Sequence, residues 1–301
     1  MNIRLYINIA LTLVLMACAI QPRSYETPTS PPKPRAIVNP KIALVLGGGG
    51  ARGMAHLGVI SVLQENNIPI DLVVGTSVGS IVGAVYADQP HNKNLYELFI
   101  NTKKSDLVNF SFFSGQGGWD SGGRLESFLF KNLSVQDFSQ LKIPFIAVST
   151  DLSTGKVFPL RSGPIIPAVH ASSAISGLFV PVHIYNTQLI DGGFSQPLPV
   201  LVAKKFHPKL IIAVNIEKKL ARDYQKDFVS IISRSIDIVI SELSRKAILN
   251  TDVLISPNIE EIGTFDDSNN LKLYKLGREA ALAKIFEIKQ KMRIKSIRSK
   301  V

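Results

Sequence analysis

Cysteine is nearly missing from this chain: among 301 residues there is only Cys18. A lone thiol excludes any intrachain disulfide. Charged residues are few at 19%, against 46% hydrophobic, which excludes a disordered polyelectrolyte and fits one large domain or two small ones. Acidic residues are outnumbered, 23 to 34, leaving a net charge of +11. A basic surface suits nucleic acid or anionic lipid. The aromatic-basic interleaving of single-strand binders is absent, so lipid head groups are the favoured partner and nucleic acid is not expected. No internal repeat interrupts the chain, and only one segment has a biased composition.

The N-terminus has the layout of a secretory signal peptide: Arg4, an apolar run over residues 5–16, then Ala17 and Cys18. The run is too short to span a bilayer comfortably. It resembles a bacterial lipoprotein signal, which implies removal of residues 1–17 and lipidation of Cys18, the acyl chains then holding the protein on a membrane. Ala19 stands where aspartate is associated with inner-membrane retention, which resembles routing to the periplasmic side of an outer membrane. An uncleaved anchor with an incidental cysteine is the alternative. Residues 18–40 carry Pro22, Pro28, Pro31, Pro32, Pro34 and Pro40. Proline forbids helix and favours extended chain, so this segment is expected to be a tether that keeps the globular part clear of the bilayer.

The globular part is expected over residues 41–285, followed by a basic tail at 286–301. Continuous apolar runs at 42–46, 145–148, 210–214 and 253–255 read as buried strands. Helical patterns separate several of them, which predicts an α/β domain with a mostly parallel sheet. Function in such sheets collects at the carboxyl ends of strands.

Two glycine-rich turns lie at such ends. Gly75-Thr76-Ser77-Val78-Gly79 follows an apolar strand and opens a helix, the setting of a nucleophile elbow. Residues 47–50 are four consecutive glycines after the first strand, with Arg52 and Gly53 just beyond. Free N–H groups at a helix start suit a phosphate or an oxyanion. The loop also fits G-x-G-x-x-G, but Asp71 enters the next strand and is misplaced for gripping a ribose. A serine nucleophile needs a base. His56, His91, His170, His183 and His207 each lack a catalytic setting. Asp191-Gly192-Gly193 ends an apolar stretch. Asp191 in reach of Ser77 would accept its proton directly if burial raised its pKa. The alternative for Asp191 is an Asx-type turn.

Together these residues resemble the patatin-like phospholipase family: a glycine loop with Arg52, then Gly75 to Gly79 around Ser77, then Asp191-Gly192-Gly193. The likeness extends to residues 148–152 and 171–177, with Ser176 where proline is common. It implies a three-layer α/β sandwich with helices on both faces of the sheet. It implies a dyad of Ser77 as nucleophile and Asp191 as base. An oxyanion hole from the N–H groups of Gly48, Gly49 and Gly50 would follow, braced by Arg52 and Gly53. Lipid acyl esters would be the substrates, with no metal or organic cofactor.

Residues 107–119 are rich in aromatics and flanked by glycine, which suits a mobile lid or a core segment with its loop. Ile285, Ile288 and Met292 form an apolar stripe in a basic helix, expected to pack more than to lie on a membrane. Two other classes stay open: a nucleotide-binding protein using the glycine loop, and a membrane-anchored lipoprotein without turnover.

Overall fold

The computed structural model describes residues 21–92, 95–102, 104–107, 120–218, 220, 228–259 and 268–298. The signal segment with Cys18, and residues 108–119 of the aromatic stretch, lie outside the described residues.

Apolar, β-branched runs become the strands, as their fit to a pleated buried surface dictates. Ile42–Leu46 (β2), Leu72–Thr76 (β3) and Leu210–Val214 (β8) are buried at every position. With Phe145–Asp151 (β4) and Val253–Ile255 (β9) they run parallel in the order β9-β8-β2-β3-β4. Beyond β4 the sheet turns antiparallel. Thr187–Asp191 (β7) pairs with β4, Val182–Ile184 (β6) pairs with β7, and Val157–Leu160 (β5) also pairs with β4.

Alternate residues face opposite layers. Leu44, Leu46 and Val73 join a core built with helices Met54–Glu65 (α1) and Val78–Asp88 (α2). Ala43, Val45 and Val74 join a second core with Val200 and Val202 of the short helix Val200–Lys204 (α7) and Ala247 near the end of Phe228–Ile248 (α8). Helices therefore cover both faces, as expected. Among the described residues no helix is long and apolar enough to cross a membrane.

Two peripheral segments differ from their sequence-based reading. The proline-rich segment is laid along the domain from Arg23 onward. Arg23–Ser24 (β1) pairs in parallel with β6. Thr27 Oγ1 accepts the Tyr185 N–H at 3.0 Å, and the Pro40 carbonyl accepts the Lys209 N–H at 3.1 Å. Proline denies long ladder pairing but leaves carbonyls and side chains to bond. At the other end, Asn270–Arg298 is one continuous helix (α9), so the boundary expected at residue 285 falls inside it. Ile288 is fully buried and Met292 packs on the core. The helix lies so close to α1 that a Cβ at Gly58 would come within 2.1 Å of the Tyr274 carbonyl. Arg278 adds a hydrogen bond to Ser61 at 2.8 Å and an ion pair with Glu65.

Candidate active site

Ser77 sits between the end of β3 and the start of α2 with φ 54° and ψ −127°. That is a strained conformation for a residue with a side chain, the kind that persists only where its surroundings enforce it. The flanking glycines explain the enforcement. A Cβ at Gly75 would lie 2.3 Å from the Gly79 carbonyl, and one at Gly79 would lie 2.3 Å from the Leu46 carbonyl. Only bare backbone lets α2 leave β3 so close to β2.

Hydrogen bonds hold the turn from two sides. Ser77 N–H donates to Ser172 Oγ at 3.1 Å, and Ser172 donates to the Val148 carbonyl at 2.6 Å. Ser80 Oγ donates to the Ser77 carbonyl at 2.7 Å. Ser172 ends the helix Ile165–Ser172 (α6), packed on β4 and α2. Residues 148–152 and 171–177, which had no assigned task in the sequence, thus frame the elbow.

Asp191 ends β7, only 5% exposed, beside Ser77 at 6%. Its backbone is fixed by its N–H donating to the Ala174 carbonyl and its carbonyl accepting from Thr150 Oγ1, both at 2.9 Å. Its Oδ1 accepts the Gly193 N–H at 2.7 Å, the Asx-type turn considered above. The turn uses only Oδ1; Oδ2 is buried and has no hydrogen-bond partner among the described residues. Burial pushes the carboxyl up to about 6, against the lowering effects of the Ser77 hydroxyl and the Gly193 N–H. The Ser77 hydroxyl is thus near enough to the carboxyl to stabilise its charge.

The glycine loop follows β2 beside this pair, with Gly48 packed so that its Cβ would lie 3.4 Å from Ser77 Cβ. Its N–H groups are not equivalent. Gly48 donates to the Pro197 carbonyl at 2.9 Å, which removes it from the expected oxyanion set. Gly49 and Gly50 donate to no acceptor among the described residues. Their carbonyl side is anchored: His56 Nε2 donates to the Gly47 carbonyl at 2.8 Å, and Arg52 Nε to the Gly49 carbonyl at 3.0 Å. Burial pulls His56 down to about 4, outweighing the Gly47 bond, so the ring is neutral and structural. Burial also lowers Arg52, while the carboxylates of Glu217 and Asp237 oppose it.

No histidine bonds to Ser77 or Asp191 among the described residues. His170 faces Tyr25 and Glu126, and His207 sits in a turn with φ 51°. Asp71 accepts the N–H groups of Lys41 and Ile42 at 3.0 and 2.8 Å, so its carboxylate ties the starts of strands and is no ribose ligand.

Ser77 opens into a largely apolar cavity of about 120 Å³. Gly50 and Ser77 line it together with Ile81, Val82, Phe99, Leu107, Leu125, Leu178 and Phe179. The apolar lining comes from dispersed residues on four helices and the loop at 178–179, which periodicity alone does not single out.

A family model described as patatin-like phospholipase matches residues 44–204. The chain is 33% identical over 202 residues to the "Patatin-like phospholipase domain-containing protein ZK370.4" of Caenorhabditis elegans, covering 60% of this chain and 14% of that protein. It is 31% identical over 189 residues to "Lysophospholipase NTE1" of Lodderomyces elongisporus, covering 60% and 13%. To the mouse "Patatin-like phospholipase domain-containing protein 6" it is 33% identical over 199 residues, covering 60% and 14%. The match thus spans about one seventh of these relatives' length. Among solved structures, VipD from Legionella pneumophila superposes with a TM-score of 0.54 at 14% identity, over 84% of this chain and 70% of that one, a likeness of fold.

Proposed function

This chain belongs to the patatin-like phospholipase family, and from that premise we propose that it hydrolyses lipid acyl esters through a Ser77–Asp191 dyad. The observation that carries the reading is the pair itself. A strained serine stands at a strand-to-helix elbow beside a buried carboxylate whose Oδ2 is unpaired.

In the proposed reaction Ser77 Oγ attacks the ester carbonyl and its proton passes to Asp191 Oδ2. The oxyanion is received by the N–H groups of Gly49 and Gly50, with Gly48 holding the loop through Pro197. Collapse breaks the bond to the leaving alcohol, which takes the proton back from Asp191. Water then attacks the acyl-serine, giving a proton to Asp191, and collapse breaks the bond to Ser77 Oγ, which takes that proton back as the fatty acid leaves. A carboxyl raised to about 6 is ionised at neutral pH yet basic enough to accept a proton. The acyl chain occupies the apolar cavity. Phospholipids and lysophospholipids are the proposed substrates.

The proposed location is the bacterial envelope, through acylated Cys18. Arg23 is already bound to the domain, so five residue steps separate it from the anchor, at most about 18 Å of chain. The catalytic domain would ride close against the membrane, contrary to a long free tether. Metabolic palmitate labelling lost in Cys18→Ala is the expected result, and retained labelling would remove the anchor from the proposal.

The hydrolase reading is tested by assaying a lipid panel with wild type and Ser77→Ala. Fatty acid release and fluorophosphonate labelling should both vanish in Ser77→Ala with the fold intact. Release at the parental rate would overturn the dyad.

A further inference from the structure

The segment ahead of the domain reaches the wall of the apolar cavity through one side chain. Tyr25, just after β1, places its hydroxyl 2.7 Å from His170 Nδ1 and 2.7 Å from Glu126 Oε1. Arg23 clamps the same carboxylate through Nε and Nη2, both at 3.0 Å. Burial alone would raise Glu126, but hydrogen bonds from His170, Arg23 and Tyr25 hold it at about 2. It is therefore an acceptor only.

That fixes the direction of every bond. Tyr25 has one proton and gives it to Glu126. His170 Nδ1–H then points at the tyrosine oxygen, 2.7 Å away, with Glu126 Oε1 3.5 Å from the same nitrogen. The His170 ring is fully buried, and its Nε2 has no partner. Its orientation is thus set from the Tyr25 side. The ring also meets Phe179 edge-on, centroids 6.1 Å apart, and faces Gly122, the cap of helix Gly123–Asn132 (α5). Phe179, with Leu125 on α5, lines the cavity beside Ser77.

We propose that Tyr25 is a positioning residue that sets the acyl-chain preference of the hydrolase, by holding His170 and through it the Phe179–Leu125 wall of the cavity. The inference rests on the reading of that cavity as the acyl site. Removing the tyrosine hydroxyl leaves Glu126 Oε1, 3.5 Å from Nδ1, as the acceptor for His170, and the ring turns toward it. Phe179 follows, and the wall closes on or recedes from a long chain. A short acyl group fills less of the cavity than a palmitoyl chain does and touches less of its lining.

The test compares full-length wild type, Ser77→Ala, Tyr25→Phe and Glu126→Gln on a palmitoyl lysophospholipid and on a p-nitrophenyl butyrate. In Tyr25→Phe the ratio of long-chain to short-chain kcat/KM is expected to fall about tenfold, the scale of one lost buried hydrogen bond, with the loss carried by KM for the long chain. An unchanged ratio in folded Tyr25→Phe, or losses in equal proportion on both esters, overturns the proposal. If Tyr25→Phe proves too unstable to assay, Glu126→Gln carries the same expectation and the same refutation. A wild type that cleaves neither ester, or Ser77→Ala that matches it, brings down the hydrolase reading itself and is distinct from a lost chain preference.

Discussion

Ser172 supports Ser77 from behind: its hydroxyl oxygen accepts the Ser77 N–H at 3.1 Å while its own proton goes to the Val148 carbonyl at 2.6 Å. One hydroxyl thus bridges the elbow to β4, the strand that also pairs with the strand carrying Asp191. Ser172→Ala leaves a buried N–H and a buried carbonyl without this partner. An unsatisfied buried group costs about 1–3 kcal/mol. In a turn already strained, that loss lets Ser77 rotate away from its productive position. We expect kcat on a soluble ester to fall about 10- to 100-fold, with Ser77 still labelled slowly by fluorophosphonate. Labelling at the wild-type rate in Ser172→Ala would show that the elbow stands without it.

Asp191 predicts opposite effects on activity and stability. The proposed reaction needs the ionised carboxylate, so kcat/KM should drop about tenfold per pH unit below its pKa of about 6 and level off above it. For stability the sign reverses. The folded-state pKa is raised above the ordinary 3.8, so the folded protein holds the proton more tightly. Its stabilising contribution is full below the unfolded pKa and is lost as pH rises through about 6. At about 1.4 kcal/mol per pH unit, the gap amounts to roughly 3 kcal/mol at neutral pH. Asp191→Asn removes the buried charge. It should be inactive yet melt higher than wild type at pH 8, the difference shrinking toward pH 4. A variant that melts lower at both pH values would contradict a desolvated carboxylate whose Oδ2 has no partner among the described residues.

Much of this was legible in the sequence because the chemistry demands local patterns. Gly75 and Gly79 are forced by backbone contacts two residues either side of the nucleophile, so they appear as a motif. Buried parallel strands read as uninterrupted apolar runs. The supporting residues were not legible for a matching reason. Ser172, Thr150 and Pro197 act across sequence separations of 95, 41 and 149 residues, and nothing in a serine or proline announces such a partner. Gly48 was counted as an oxyanion donor because the run of glycines looks uniform; only the fold shows Pro197 taking its N–H. The proline-rich segment misled for a different reason. Proline excludes helix and long ladders, but it does not exclude an extended strap bound through Arg23, Tyr25 and Thr27.

The boundary drawn at residue 285 yields a stability test. Ile288 is fully buried three residues beyond it, on the helix that packs against α1. Truncating a fully buried isoleucine to alanine typically costs about 2–5 kcal/mol. Ile288→Ala should therefore lower the denaturation midpoint by an amount of that order. Phe286→Ala, at a side chain 79% exposed, should change it by less than about 0.5 kcal/mol. Equal effects of the two substitutions would mean that the helix end does not belong to the core.

Arg52 joins the glycine loop to charges outside it, and Arg52→Lys separates two jobs that arginine does at once. Its Nε donates to the Gly49 carbonyl at 3.0 Å, and the carboxylates of Glu217 and Asp237 act on the same guanidinium. A planar fork can serve a carbonyl and carboxylates in fixed directions, whereas an ammonium is a point charge on a flexible stem. Lysine keeps the positive charge but not the fixed Nε–H that orients the Gly49 peptide. The N–H of Gly50 belongs to that same peptide, because the Gly49 carbonyl and the Gly50 nitrogen share one plane. Turning the carbonyl turns the proposed oxyanion donor with it. Loss of one such donor typically costs about 100- to 1,000-fold in kcat. Arg52→Lys, which misorients the donor without deleting it, should cost about 10- to 100-fold, with KM for a soluble ester changed far less. Arg52→Met, which also removes the charge, should cost more. If Arg52→Lys keeps wild-type kcat while Arg52→Met loses it, charge alone is what the loop requires, and the hydrogen bond to Gly49 is incidental to catalysis.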